Sequence, residues 1–435
     1  MSYDWQSLRI EGIYRQPVEG FAMLRVKLPA GVLSAGQARG IGALAHRFAR
    51  GALHLTTRGS IELHWVRGED LAAVKGGLAA LGLTSRGACG GAVRGITCAS
   101  QGNAAFPQVE SLARQLQRQF TGNPRFERLP KKFKIGIFPD TVDRGHLIQD
   151  VGLVLKGSCY DVWIAGGLGR EPQPGFLLEE EVSPGRIIPL IEAILNVYAA
   201  HAPAGKRLKH LARELGEEAL RKLIAAQPSA TQELTPPTGL PDSFVPAFTD
   251  STRLEVPVFG GELSGEDLVR LAGFAETHGG GWLIINADQN VAFQIPGDVA
   301  PARQELIGLG FGGDGRVEQI CFRICPGSHE CRMGLAPTRD VARQVIDRLG
   351  LGAIAARWAI SGCQNSCAQP QLADYGIMTT GLVKGDDGNR SPRFDLHRNQ
   401  GEGLGEVLKR NLSTEELLEA VSSLDYAKAA GDGFR

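Results

Sequence analysis

Leu24-Arg-Val-Lys-Leu-Pro-Ala-Gly-Val-Leu-Ser34 and Leu254-Glu-Val-Pro-Val-Phe-Gly-Gly-Glu-Leu-Ser264 share one pattern of apolar, Gly and Ser positions. The next stretch repeats too. Ala52-Leu-His-Leu-Thr-Thr-Arg58-Gly-Ser-Ile61 has its partner in Trp282-Leu-Ile-Ile-Asn-Ala-Asp288-Gln-Asn-Val291. Every partner lies 230 residues downstream, 24 to 254 and 58 to 288. A constant offset over that length marks a duplicated unit and predicts two similar halves about a pseudo-twofold axis. Within the first unit, Phe21-Ala-Met-Leu-Arg-Val alternates as a strand does. Ser34 is placed to cap a helix from Ala35 to about Arg50. Leu53–Arg58 and Ile61–Trp65 read as strands, and residues 69–81 as a second helix.

Working outward, Lys134-Ile-Gly-Ile-Phe and Asp150 align with Trp358-Ala-Ile-Ser-Gly and Asp374 at an offset of 224, from 150 to 374. On that alignment Cys363 stands where the first unit has Pro139. Residues 227–250 are polar and Pro-rich, as an inter-unit linker is.

Composition sets outer bounds. The 435 residues are 43% hydrophobic and 22% charged with zero net charge, ordinary values for a soluble globular chain of two or three domains. Zero net charge argues against nucleic acid or an anionic membrane as the main partner. There is no apolar run of about eighteen residues and no signal region in Met1-Ser-Tyr-Asp-Trp5, so the expected location is the cytoplasm. Eight Cys, four of them clustered, suit metal binding in a reducing compartment better than a disulfide scaffold.

The clustered four form Cys325-x5-Cys331 and Cys363-x3-Cys367, about thirty residues apart. Structural zinc favours tighter C-x2-C knuckles. Loops marked by Pro326-Gly327 and Ser361-Gly362 can surround a bulkier iron–sulfur cubane. Zinc and buried metal-free thiols are the other two readings of these residues. Cys98, Cys159 and Cys321 read as small buried apolar residues, and Cys89 falls five residues before Arg94.

Basic residues recur in three short motifs of the first half: Thr56-Thr-Arg58, Ala92-Val-Arg94-Gly, and Leu129-Pro-Lys-Lys132-Phe-Lys134. Any one of them alone is ordinary surface charge. Lys132 and Lys134, however, share one strand face just before the apolar Ile-Gly-Ile-Phe run, which calls for solvent or an anion there. Gly166-Gly-Leu-Gly169-Arg170 is a Gly-rich turn after a strand; such a turn is commonly no more than that, although its N–H groups can approach an anion.

The Cys spacing, with Ser361-Gly-Cys-Gln-Asn-Ser-Cys367-Ala-Gln, resembles the signature of the siroheme and 4Fe–4S sulfite and nitrite reductases. The resemblance covers roughly residues 10–430. It implies an α+β fold in which duplicated ferredoxin-like half-domains join two larger α/β domains, pseudo-twofold symmetric and sandwiching siroheme and a cluster. The expected boundaries are 10–82 and 83–226 for the first half-domain and first large domain. The linker is 227–250, and 251–312 and 313–435 form the second pair.

Residue by residue, the resemblance makes Cys325, Cys331, Cys363 and Cys367 cluster ligands, with Cys367 also bridging to the siroheme iron. Arg58, Arg94, Lys132 and Lys134 become substrate-binding and proton-donating residues. Asn365, Gly166, Gly167, Gly169 and Arg170 become cofactor contacts. Gln364, Gly59 and Gly95 depart from the family pattern, the last two where siroheme is seated.

The implied reaction is six-electron reduction of sulfite to sulfide. The electrons would come from a ferredoxin or a separate flavoprotein, since no NAD(P) or flavin motif is visible. Nitrite reduction to ammonia on the same cofactors is the alternative; Lys134, where nitrite-reducing members tend to carry Asn, favours sulfite. A precorrin-3B synthase-like oxygenase, which tends to carry Gly there, and a non-enzymatic iron–sulfur sensor are more distant readings.

Overall fold

The alternating and helical segments of the first repeat fold as β1 (Ile13–Arg15), β2 (Phe21–Val26), β3 (Val32–Ser34), α1 (Ala35–Phe48), β4 (Ala52–Leu55), β5 (Ile61–Arg67) and α2 (Leu71–Ala80). The computed structural model describes residues 4–99, 106–235, 251–312, 319–385, 388–401, 403–424 and 426; residues 236–250 of the expected linker lie outside them. Ser34 caps α1 as expected. Its Oγ accepts the Gln37 N–H at 3.1 Å, and Gln37 Oε1 accepts the Ser34 N–H at 3.0 Å, so two donors at the helix start are satisfied reciprocally.

The chain continues through β6 (Thr97–Cys98), α3 (Phe106–Phe120), β7 (Ile135–Phe138), β8 (Val151–Lys156), β9 (Cys159–Ile164), β10 (Phe176–Val182), α4 (Pro184–His201), α5 (Leu208–Leu215) and α6 (Glu217–Ala225). The second repeat supplies β11 (Ser251–Val256), β12 (Glu262–Ser264), α7 (Gly265–His278), β13 (Trp282–Ile285), β14 (Val291–Pro296) and α8 (Ala300–Gly308). Beyond it lie β15 (Phe322–Ile324), α9 (Thr338–Arg348), β16 (Trp358–Ser361), β17 (Tyr375–Lys384), β18 (Arg390–Arg398), β19 (Glu406–Leu412) and α10 (Thr414–Ser422).

The half-domains exchange strands. The sheets run β1-β2-β5-β4-β12 and β11-β14-β13-β3, so each takes an edge from the other repeat. Ser34 pairs with Trp282 and Val32 with Ile284; Ser264 pairs with Ala52 and Glu262 with His54. Adding 230 to one partner and subtracting it from the other turns the first register into the second, which is the pseudo-twofold axis expressed in hydrogen bonds. The apolar faces close on one shared core: Leu24, Ile41, Leu53 and Leu63 cluster with Leu254, Leu271, Leu283 and Phe293. Neither half buries its own face alone. Helices α1 and α7 meet across the axis so closely that a Cβ on Gly42 would lie 2.6 Å from the Gly265 carbonyl oxygen.

The larger sheets, β10-β9-β8-β7-β6 and β15-β16-β17-β18-β19, share one plan. In each, two parallel pairings are followed by two antiparallel ones. Here the alignment at an offset of 224 needs a correction. Asp150 Oδ2 accepts the Lys134 N–H at 2.8 Å, and Asp374 Oδ2 accepts the Arg357 N–H at 2.8 Å. The equivalent of Lys134 is therefore Arg357, one residue earlier than the alignment placed it, and Cys363 does not replace Pro139. Loop length between the strands differs by one residue, and a backbone-to-carboxylate bond, not side-chain similarity, sets the register. Arg144 Nη1 to Asn399 Oδ1 and Arg357 Nη1 to Asp143 Oδ1, both 2.6 Å, strap the two large domains together.

Replacing Gly42 by Val should force α1 and α7 apart and lower the unfolding midpoint of the whole chain. Gly76→Ala in α2, where a Cβ meets nothing within 4 Å, should be neutral or stabilise by about 0.5–1 kcal/mol. Urea unfolding of the two variants checks both.

Candidate active site and metal centre

Both Cys pairs lie just past the C-terminal ends of the parallel strands β15 and β16, where open α/β sheets place ligands. Their loops are held from below. Gln289, in the turn between β13 and β14, accepts the Ile324 N–H at 2.7 Å and donates to the Leu55 and Ile324 carbonyls at 2.8 and 3.0 Å. Gly362 N–H donates to Cys325 Sγ at 3.1 Å. The Asn365 backbone and side chain both bond the Cys363 sulfur, so Asn365 acts on a thiol of its own loop.

Partial burial raises the Cys325 and Cys363 thiols, and Cys367 is among the charges that Cys325, Cys331 and Cys363 each feel. The four therefore form one electrostatic group. No three of their sulfurs lie within 4.8 Å of one another. A tetrathiolate zinc site, with sulfurs about 3.8 Å apart, is too small for this spacing. A cubane cluster is the larger object that suits four thiolates held apart.

A cationic cavity faces Cys367. Thr57 Oγ1 donates to the Cys367 carbonyl at 2.8 Å, clamping the turn between β4 and β5 onto the Cys loop. From that turn Arg58 reaches the Gln149 side chain at 3.1 Å and the Gly95 carbonyl at 2.8 Å. Arg94 is buried and donates to the Gly87 and Gly90 carbonyls at 3.1 and 3.0 Å. Among the described residues, neither Lys132 nor Lys134 has a protein hydrogen-bond or ion-pair partner for its ammonium. Burial lowers Lys132 to about 8, against the pull of Cys367. Burial, then Arg58 and Lys132, push Lys134 well below the usual lysine range. The structure thus brings Arg58, Lys132 and Lys134 together beside the last Cys, with Arg94 behind them against Cys89 and Arg25.

Other residues of this cavity were not singled out from sequence. Arg207 pairs with the fully buried Asp150 at 2.7 Å and lies against Gly167, where a Cβ would meet its Nη1 at 2.3 Å. Lys209 donates to the Gly167 and Leu168 carbonyls at 3.3 Å. Gly167 is therefore glycine because Arg207 packs on it, and Gly166 because a Cβ there would meet the Leu147 carbonyl oxygen at 2.1 Å. Arg170 is exposed and makes no polar contact among the described residues, while Gly169 is half-buried with φ 113°. The basic run Lys206-Arg-Leu-Lys209 was the available signal.

Arg25 joins the group from β2. Its Nε donates to Glu62 Oε1 at 2.8 Å, and Glu62 Oε2 faces His64 Nε2 at 3.2 Å and His54 Nδ1 at 3.4 Å. These three residues have the spacing of a metal site. The amides behind them argue otherwise. Gln16 and Gln289 accept backbone N–H groups through oxygen, so their NH₂ groups face His64 Nδ1 and His54 Nε2 at 3.3 Å. The His64 ring proton then points at Glu62, whose carboxyl Arg25 holds well below the usual range. Arg25 and Lys27, like Glu62 and His64, are polar pairs two apart in apolar strands. That is the same signal that marked Lys132 and Lys134.

Of the remaining Cys, Cys98 sits in the apolar core as expected, while Cys159 is half-buried. Cys321 departs from the apolar reading by bonding Asp288. Cys89 is buried against Arg25 and Arg94, its thiol hydrogen-bonded to Tyr14.

Comparison with known proteins gives the chain a family. The model of the nitrite/sulfite reductase ferredoxin-like half domain matches residues 14–81, and that of the nitrite and sulphite reductase 4Fe–4S domain matches residues 90–232. The chain belongs to the nitrite and sulfite reductase family. The family's cofactors are siroheme and a 4Fe–4S cluster. The second match covers the Cys-poor large domain; the four thiols stand in its sister domain. Among relatives of this reductase, sulfite reductase (ferredoxin) 2 of Mycolicibacterium paratuberculosis is 25% identical over 95% of this chain and 81% of its own length. A ferredoxin–nitrite reductase of Synechococcus elongatus is 29% identical over 95% and 87%. The solved structure of Mycobacterium tuberculosis NirA protein superposes with a TM-score of 0.81 at 22% identity, covering 95% of this chain and 85% of that one. The duplicated α+β architecture is thus that of the family.

The cavity fits both groups: four thiols for a cluster, and cations without carboxylate partners for a polycarboxylate macrocycle. Serine at Cys363 or Cys367 should remove iron and acid-labile sulfide from the purified protein. Cys98→Ala should leave both in place, as elemental analysis of the three variants would show.

Proposed function

We propose that this reductase carries out the six-electron reduction of sulfite to sulfide at a siroheme coupled to the 4Fe–4S cluster. The observation that carries the proposal is the unpaired Lys132 and Lys134 ammonium pair beside Cys367. When bound, the two groups supply the electrons and an iron site for the substrate. Cys325, Cys331, Cys363 and Cys367 would hold the cluster, Cys367 being the one whose charge both lysines feel.

Arg58 and Arg94 are fixed by backbone carbonyls, so their charge is preorganised toward an oxyanion at no cost in reorganisation. Among the described residues Lys132 and Lys134 have no protein acceptor to leave, and each S–O bond that breaks needs a proton donor at its oxygen. Asn365 orients Cys363, and the Gly166–Gly169 turn with Arg170 contributes to the cofactor wall. A ferredoxin-type donor is proposed from the relatives' names, with a separate flavoprotein as the alternative. The expected domain boundaries stand as part of this proposal. All eight Cys are free thiols and no described helix is long and apolar enough to cross a membrane, which supports a cytoplasmic location.

Nitrite reduction to ammonia is the second reading, favoured by the higher identity to a nitrite reductase. Steady-state rates with each anion under a reduced dye separate the two. Lys132→Ala/Lys134→Ala should lower turnover by at least about 10²-fold while iron and sulfide stay bound; unchanged turnover would defeat the assignment. Lys132 donates only while protonated. Its lowered pKa means that form is present below about 8 in the cofactor-free chain and is lost as pH rises. Bound anionic groups hold the proton more tightly. The pH–rate profile of the holoenzyme should therefore fall on an alkaline limb above 8, and Lys132→Arg should move that limb upward.

A further inference from the structure

The duplication provides an internal control for every surface of the first half-domain. At the end of the sheet away from Arg58, a cavity of about 500 Å³ is lined by Phe21, His46, Arg47, Arg50, Trp65 and Arg67, with Asp70 as its acid. The sister half-domain builds the same frame without them. Helix α1 ends with Gly51 N–H on the Ala45 carbonyl, and α7 ends with Gly281 N–H on the Ala275 carbonyl, at 2.9 and 2.8 Å. The left-handed residue of this cap is Gly280 in α7, with φ 63°, but Arg50 in α1, with φ 56°. A side chain at that φ costs about 1 kcal/mol relative to Gly. His46 and Arg47 stand where α7 has Glu276 and Thr277, and Phe21 stands where β11 has Ser251.

Trp65 has no counterpart. Ala22 pairs with Val66 and Leu24 with Leu63, so β5 carries one extra residue, while β14 pairs with β11 without a break. That bulged residue is Trp65, with φ 61°. It places its ring under Arg50. The guanidinium lies 4.5 Å from the Trp65 ring centre and 4.8 Å from that of Phe21, and the rings meet edge to face at 6.0 Å. Arg47 stacks similarly on Phe48 at 4.9 Å. Stacking fixes both forks without using their N–H groups, and among the described residues neither Arg47 nor Arg50 donates a hydrogen bond to protein. Two strained positions, a bulge and two unused Arg forks converge on one hollow that the fold itself does not require.

We propose that this hollow is an anion-binding site, separate from the catalytic cavity, that takes a compact polyanion of the phosphate-ester class. Its volume lies in the small-molecule range, and planar Arg forks favour bidentate phosphate oxygens. It lies about 20 Å along β5 from the turn that carries Arg58.

Calorimetric titration of the holoenzyme with inorganic pyrophosphate tests the site. Saturable binding should be weakened at least tenfold by Arg50→Gly and should survive Lys132→Ala. Arg50→Gly installs the residue of the sister cap, so it should fold with an unchanged or raised thermal midpoint. Wild-type enzyme with no saturable heat at millimolar pyrophosphate would overturn the proposal. So would binding that Arg50→Gly leaves intact, or that Lys132→Ala abolishes.

Discussion

Two half-buried ammonium groups without a partner among the described residues, set beside a thiol, are the constraint around which this chain is built. An isolated cation taken out of water is costly unless a charge of opposite sign comes to it. In Lys132 and Lys134 that cost is left standing, and the rest of the fold holds them in place. Asp150 anchors the start of their strand through the Lys134 N–H while its charge is given to Arg207. Glu62 is likewise committed to Arg25. The nearby carboxylates are thus spoken for, and the remaining positive charge is available only to what enters the cavity.

The duplication explains how one face stays charged. Equivalent positions in the second half also carry charge, but there it is neutralised. Asp288 stands in place of Arg58 and pairs with Arg323 at 2.7 Å; Arg357 stands in place of Lys134 and pairs with Asp143 at 2.6 Å. One copy of the unit thus became a neutral scaffold for four thiols, and the other an unpaired cationic wall. Thr57 on the Cys367 carbonyl brings the two specialisations into contact.

Much of this was legible in the sequence. The 230-residue repeat, the Ser34 cap and the Cys spacing depend on local pattern, and local pattern survives without coordinates. The strand exchange was not legible, because a repeat shows that two units are alike without saying which edges they share. Arg207 was hidden for a related reason: it reaches the cavity from a helix start, and its meaning comes from Asp150 and Gly167, distant in the chain. The alignment error at Lys134 came from matching apolar side chains where a single Asp-to-backbone bond sets the register. Arg170 follows a motif that was legible, but its side chain is exposed and meets no polar group among the described residues.

The exchanged strands also set a timetable for synthesis. Val32–Ser34 finds its partner only when Trp282–Ile284 has been made, and the β4 edge stays open until Glu262–Ser264 arrives. At roughly 5–20 residues per second, the intervening chain takes on the order of ten seconds or more to emerge. During that interval the first half-domain carries an unpaired apolar edge, Leu53 and Leu55, of the kind that joins other chains. A nascent chain of this architecture therefore depends on protection at the ribosome more than its finished, shared core suggests.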